Sequence, residues 1–191
     1  ANTAWAFAKA GQTDASLFVA LAGAAKLKVS EFNAQDLANA AWAFATLGQL
    51  DAALFAALAK EAKQRLGEFN AQNLANTAWA FTKAGQSDAS LFVALAGAAK
   101  LKLSEFNAQN IANTAWAFAT AGQSDASLFV ALAGAAKLKV CEFKTQEIAN
   151  TAWAFATAGQ SDASLFVALS GAAKLKLSEF SAQDIANTAW A

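Results

Sequence analysis

Six asparagines, Asn2, Asn39, Asn76, Asn113, Asn150 and Asn187, stand 37 residues apart, and a tryptophan follows each of them three residues later, from Trp5 to Trp190. A carboxamide both donates and accepts hydrogen bonds, and an indole can stack on a base or pack in a core. Basic residues recur at the same interval in pairs: Lys26 and Lys28, Lys63 and Arg65, Lys100 and Lys102, Lys137 and Lys139, Lys174 and Lys176. Such pairs could hold phosphates. Proton-transfer chemistry is poorly supplied by comparison. The chain has no histidine, which removes imidazole relays, imidazole metal ligands and the usual nucleophile triads. Its one cysteine, Cys141, takes a place that other copies give to Ser30, Ser104 or Ser178, and it cannot close an intrachain disulfide. Carboxylates are the only ordinary acid–base groups, and they recur with the repeat instead of gathering at one point. These residues predict a binding or structural protein, with no catalytic residues, no metal site and no cofactor.

Composition narrows the class. The 191 residues are 57% hydrophobic and 15% charged, and fourteen basic residues balance fourteen acidic ones. No global field therefore draws the chain to nucleic acid or to an anionic membrane. The apolar fraction is too high for disorder, and apolar runs such as Leu91 to Ala99 are far shorter than the roughly 18 residues of a membrane helix. The hexapeptide ANTAWA both opens and closes the chain. Without polar capping repeats at either end, this reads as a piece of a longer array.

The 37-residue period must be carried by elements of fixed length. Phe32, Phe69, Phe106, Phe143 and Phe180 keep the same interval, so residues 1–191 read as one array. It comprises a partial unit 1–32, repeats 33–69, 70–106, 107–143 and 144–180, and a partial unit 181–191. Each repeat reads as two helices. Asn33, with Asp36 three residues on and apolar Phe32 and Leu37 on either side, has the form of a capping box with a hydrophobic staple. Asn70 with Asn73 and Asn107 with Asn110 repeat it. Gly48, Gly85, Gly122 and Gly159 follow the last apolar turn, where a left-handed stop costs least. This predicts a first helix from Asn33 to Leu47. Asp51, Asp88, Asp125 and Asp162 then cap a second helix whose apolar residues recur with a 3.6-residue period, and basic residues close it at the negative end of its dipole. Nothing alternates with period two. The expected fold is all-α, an α-solenoid of two-helix repeats, because one helix pair is too small to bury its own apolar face.

Winding the first helix at about 100° per residue sets Leu37, Ala41, Phe44 and Ala45 on one face and Asp36, Asn39, Ala43 and Thr46 on the other. On this second stripe Ala43 and its counterparts would leave a shallow space between polar side chains. Asn39, Asn76, Asn113 and Asn150 could read a ligand there, or bond a neighbouring helix's backbone and hold the repeats in register. Asp36, Asn73, Asn110, Glu147 and Asp184 vary between copies. They are either a code for the ligand or simply the third residue of each capping box. The tryptophans fall at the border of the stripe, placed to pack on the next repeat or to stack a base. Lys100, Lys102, Lys137 and Lys139 could line a phosphate track or only complement helix ends.

The unit SEFNAQNIANTAWAFATAGQSDASLFVALAGAAKLKL resembles an octotricopeptide repeat, in its Phe-Asn-Ala-Gln lead-in, its Leu/Ile-Ala-Asn-Thr-Ala-Trp-Ala-Phe-Ala core, its glycine stop and its Asp-led link to a Leu-rich second helix. The resemblance spans the whole chain, although the chain has no proline and its period is one residue short. It implies that a single strand of chloroplast or mitochondrial RNA lies along the first helices. Because the copies are so similar, that RNA would be of low sequence complexity. An extended peptide or protein bound to an armadillo-like scaffold, or an array without a ligand, are the other readings. Apolar helix faces at the two ends would favour end-to-end self-association.

Overall fold

An asparagine or serine followed three residues later by Asp or Asn starts four of the six first helices, and the bonds are those of a capping box. The Asn33 side chain accepts from the Asp36 amide at 2.9 Å while the Asp36 carboxylate accepts from the Asn33 amide at 3.3 Å. Asn107 with Asn110 and Ser181 with Asp184 make the same reciprocal pair. Where Lys144 stands at the cap, only the return half survives: Glu147 accepts from the Lys144 amide at 2.7 Å. An ammonium has no lone pair to offer in exchange.

The computed structural model describes residues Ala1–Ala191 as helices without strands. In chain order they are α1 (Asn2–Lys9), α2 (Ala15–Lys28), α3 (Ala34–Thr46), α4 (Ala52–Arg65), α5 (Ala71–Lys83) and α6 (Ala89–Leu101). There follow α7 (Ala108–Thr120), α8 (Ala126–Lys139), α9 (Thr145–Thr157), α10 (Ala163–Leu175) and α11 (Ala182–Trp190). No helix is long and apolar enough to cross a membrane. The first helix of each pair ends on a glycine in left-handed backbone, Gly48 at φ 66°. The Gln49 amide bonds back to Phe44 at 3.0 Å and the Gly48 amide to Ala45 at 3.2 Å, which satisfies two of the last carbonyls. Asp51 then caps α4 by accepting from the Leu54 amide at 2.9 Å.

One element has no counterpart in the sequence reading. Each second helix passes into a short 3-10 turn, as at Val29–Glu31 and Val140–Glu142. The turn brings Phe32 into extended backbone, φ −72° and ψ 132°, immediately before its capping asparagine.

The helices form two compact units, Ala1–Ala98 and Ala99–Ala191, each an α-solenoid stack of helix pairs. In the first unit α3 packs between α1 and α5. Phenylalanines stitch α2 to α3 and α4 to α5, Phe18 on Phe44 and Phe55 on Phe81, edge to face at 5.3 and 5.2 Å. In the second unit α9 packs between α7 and α11, and Phe129 meets Phe155 at 5.0 Å. Edge-to-face contact is the arrangement that aromatic quadrupoles favour.

This packing changes the expected stripe. Ala43, which the helical wheel sets on the open face, is fully buried, as are Ala80, Ala117 and Ala154. Within their units α3 and α9 each have a second helix on one side and other first helices on both flanks, so they are buried over most of their circumference. Being fully buried, these alanines leave no space for a ligand.

Candidate functional site

What remains open on α3, α5, α7 and α9 is a narrow line. It runs through Gln35, Asn39, Trp42 and Thr46 in α3 and through Gln72, Asn76, Trp79 and Lys83 in α5. In α7 it is Gln109, Asn113, Trp116 and Thr120, and in α9 Gln146, Asn150, Trp153 and Thr157. Steps of four, three and four residues keep the side chains on one side of a helix. The glutamines are exposed, and the asparagines and tryptophans are half-buried. Within the first unit the Trp42 and Trp79 rings stand 6.4 Å apart and tilted by 30°, and within the second Trp153 and Trp190 stand 6.1 Å apart. In these two pairs each indole therefore leans on its neighbour and still shows part of its ring to solvent.

The asparagines of the line take part in none of the caps, and no neighbouring backbone ties their carboxamides. Their donors and acceptors are available. The varying series is placed otherwise. Asp36, Asn73, Asn110 and Glu147 all serve capping boxes, and Asn73 and Asn110 are buried. These side chains turn toward their own helix N-terminus, away from the open line.

The basic pairs act as staples. In four of the five pairs the first member reaches forward to the next second-helix cap: Lys26 lies 2.7 Å from the Asp51 carboxylate, Lys63 3.4 Å from Asp88, Lys100 3.6 Å from Asp125 and Lys137 3.0 Å from Asp162. Lys100 and Lys137 also donate to Ser127 and Ser164. At Arg65, Lys139 and Lys176 the second member reaches back to the carbonyl that ends an earlier 3-10 turn. Arg65 donates to Phe32 at 2.9 Å and to Ser30 at 2.8 Å, and Lys139 donates to Phe106. Lys102 is engaged as well. The capping carboxylates are held below the usual aspartate range, Asp51 chiefly by Lys26 and Asp125 chiefly by the Ser127 hydroxyl. They stay ionised as acceptors, a structural duty. No group of His, Cys, Asp or Glu is placed to hold a metal ion, and Cys141 is exposed.

The structure thus joins Asn39, Asn76, Asn113 and Asn150 to the tryptophans and to glutamines that the sequence reading passed over. Counting from Gln35 in steps of four, three and four would have found the line. A wheel centred on Leu37 hides it, because it assumes a single buried face.

Comparison with known proteins adds an assignment. Residues 2–191 match the family model of the RNA-editing substrate-binding complex 6 protein, and no curated protein matches the chain. This overturns the octotricopeptide resemblance. The capping asparagine, glycine stop and Asp-led link are what any short two-helix repeat needs, so they mark the architecture without separating one family from another. The organelle that the resemblance implied loses its basis with it. The chain belongs to the family of RNA-editing substrate-binding complex 6 proteins.

Proposed function

We propose that this chain is a non-catalytic RNA-binding segment that holds a single strand against the Gln, Asn and Trp line of its first helices. The observation that carries the reading is the recurrence, in each full repeat, of a half-exposed indole beside a carboxamide without a partner. The family's name, which speaks of an RNA-editing substrate-binding complex, supports it. Helical repeat proteins read RNA with two or three side chains per base, and the line offers that number. The indole supplies a stacking surface and the carboxamides supply an edge to bond. Since the line barely changes from repeat to repeat, the preferred RNA is of low complexity.

The stapled lysines shape the expected affinity. With most of the paired cations engaged inside the fold, stacking and amide bonds carry the larger part of the binding, and the salt dependence is shallow. Fluorescence anisotropy with labelled homopolymeric RNAs of about 10 nucleotides tests this at low and near-physiological salt. Trp153→Ala weakens binding roughly 5- to 150-fold, the equivalent of ~1–3 kcal/mol per stacked base, while circular dichroism shows that the fold persists. Asn76→Ala and Asn150→Ala alter the base preference, and Lys100→Gln leaves affinity nearly unchanged. Absence of binding at low salt, or binding indifferent to Trp153, defeats the reading. It would favour an extended protein segment as the occupant of the same line, which the zero net charge also suits.

A further inference from the structure

The second helices carry an apolar line of their own. In α8 it is Val130, Gly134 and Leu138, and in α10 it is Val167, Gly171 and Leu175, each step four residues and so on one side of the helix. All four large side chains face solvent: Val130 is 71% and Leu138 85% exposed, Val167 73% and Leu175 87%. α8 and α10 are packed neighbours in the second unit. Their four side chains present on the order of 400 Å² of apolar surface, the size at which an exposed patch marks an interaction site.

The glycines point to what covers it. Gly134 and Gly171 sit inside helices, where glycine is less favourable than alanine, yet a Cβ added to either meets no atom within 4 Å. Nothing in the chain's own packing calls for glycine. A backbone approaching from outside does, with valine and leucine closing over the contact on each side. The line is also self-complementary: run antiparallel to itself, it sets glycine against glycine and valine against leucine, as a two-fold contact requires.

One helix breaks the pattern. In α4 the same places hold Ala56, Lys60 and Gln64, all exposed. Two such lines set face to face would bring Lys60 ammonium groups together, which excludes that register. The exception also shows that the fold accepts lysine and glutamine at these positions.

We infer that the α8–α10 face of the second unit pairs with the same face of a second copy of this chain, making an isologous dimer with Gly134 and Gly171 at the crossing. With alanines such as Ala126 and Ala163 around the four large side chains, the patch approaches the lower range of specific interfaces, at least ~600 Å² per partner. The dimer therefore forms in the micromolar range and dissociates on dilution.

Sedimentation velocity of the whole chain from about 1 to 100 μM decides the matter. The expected mass rises with concentration from 19.7 kDa toward twice that value. The double variant Gly134→Lys, Gly171→Lys, which copies Lys60, stays at the monomer mass throughout, with an unchanged circular dichroism spectrum. If lysine disturbs the fold, Leu138→Gln with Leu175→Gln, which copies Gln64, is read in the same way. A wild-type chain that is monomeric at all concentrations overturns the inference. So does a folded variant that dimerises as the wild type does, since the contact would then lie elsewhere, for instance between chain ends.

Discussion

Thr151 is fully buried in α9, and its Oγ1 has no hydrogen-bond partner. Thr77 in α5 repeats the situation at 1% exposure. In α3 the same place is Ala40, so the site accepts an apolar side chain. A buried hydroxyl without a partner carries its desolvation cost, ~1–3 kcal/mol, with nothing returned. Thr151→Val keeps the branched shape and nearly the same helix propensity while removing that cost. The gain falls at the lower end, about 1 kcal/mol, because a helical threonine can turn its hydroxyl toward the carbonyl one turn back. Thr77 and Thr151 lie in different units and share no partner, so the double variant gains ~2 kcal/mol by additivity. For a chain of this size each kcal/mol raises Tm by roughly 2–4 °C. Urea unfolding followed by circular dichroism should show the midpoint rising at an unchanged slope. A double variant no more stable than the wild type refutes the reasoning. It would show that the hydroxyls do bond in solution and that these sites carry no deficit.

Two further outcomes follow from the turns and caps. Gly48→Ala costs about 1–2 kcal/mol, read as a lower urea midpoint, because its φ of 66° suits glycine while an added Cβ meets nothing within 4 Å; Gly48→Asn loses less, and equal losses would mean that crowding dominates. Asp51, Asp88 and Asp125 have folded-state pKa values below that of a free aspartate, so their stabilisation is fully present above the unfolded pKa and is lost as pH falls through the folded values. Tm should therefore be flat from neutrality down to about pH 5 and fall below about pH 4, and Asp125→Asn should flatten that fall; a Tm that does not move between pH 5 and 2 would contradict the cap assignment.

Most of the local structure was legible because its causes lie within a few residues. Asn33 with Asp36, Gly48 and Asp51 each satisfy backbone groups at most five positions away, and a period of 37 residues shows that every copy solves the same problem. The 3-10 turn at Val29–Glu31 escaped notice, since it only redirects the chain and leaves no change in hydrophobic pattern. The family also escaped, because these caps and stops belong to the architecture that many families share. Which side of the first helix is open could not be read from one copy. A single amphipathic helix has one buried face, but α3 is packed on three sides, and only the stack shows that Ala43 is interior while Trp42 stays half-open beside Trp79. The lysines carry the same lesson. Their spacing placed them at helix ends, but their partners, Asp51 for Lys26 and Phe106 for Lys139, are 25 and 33 residues away. Local hydrogen bonding makes each helix, whereas the closeness of neighbouring repeats settles which side chains remain for a ligand.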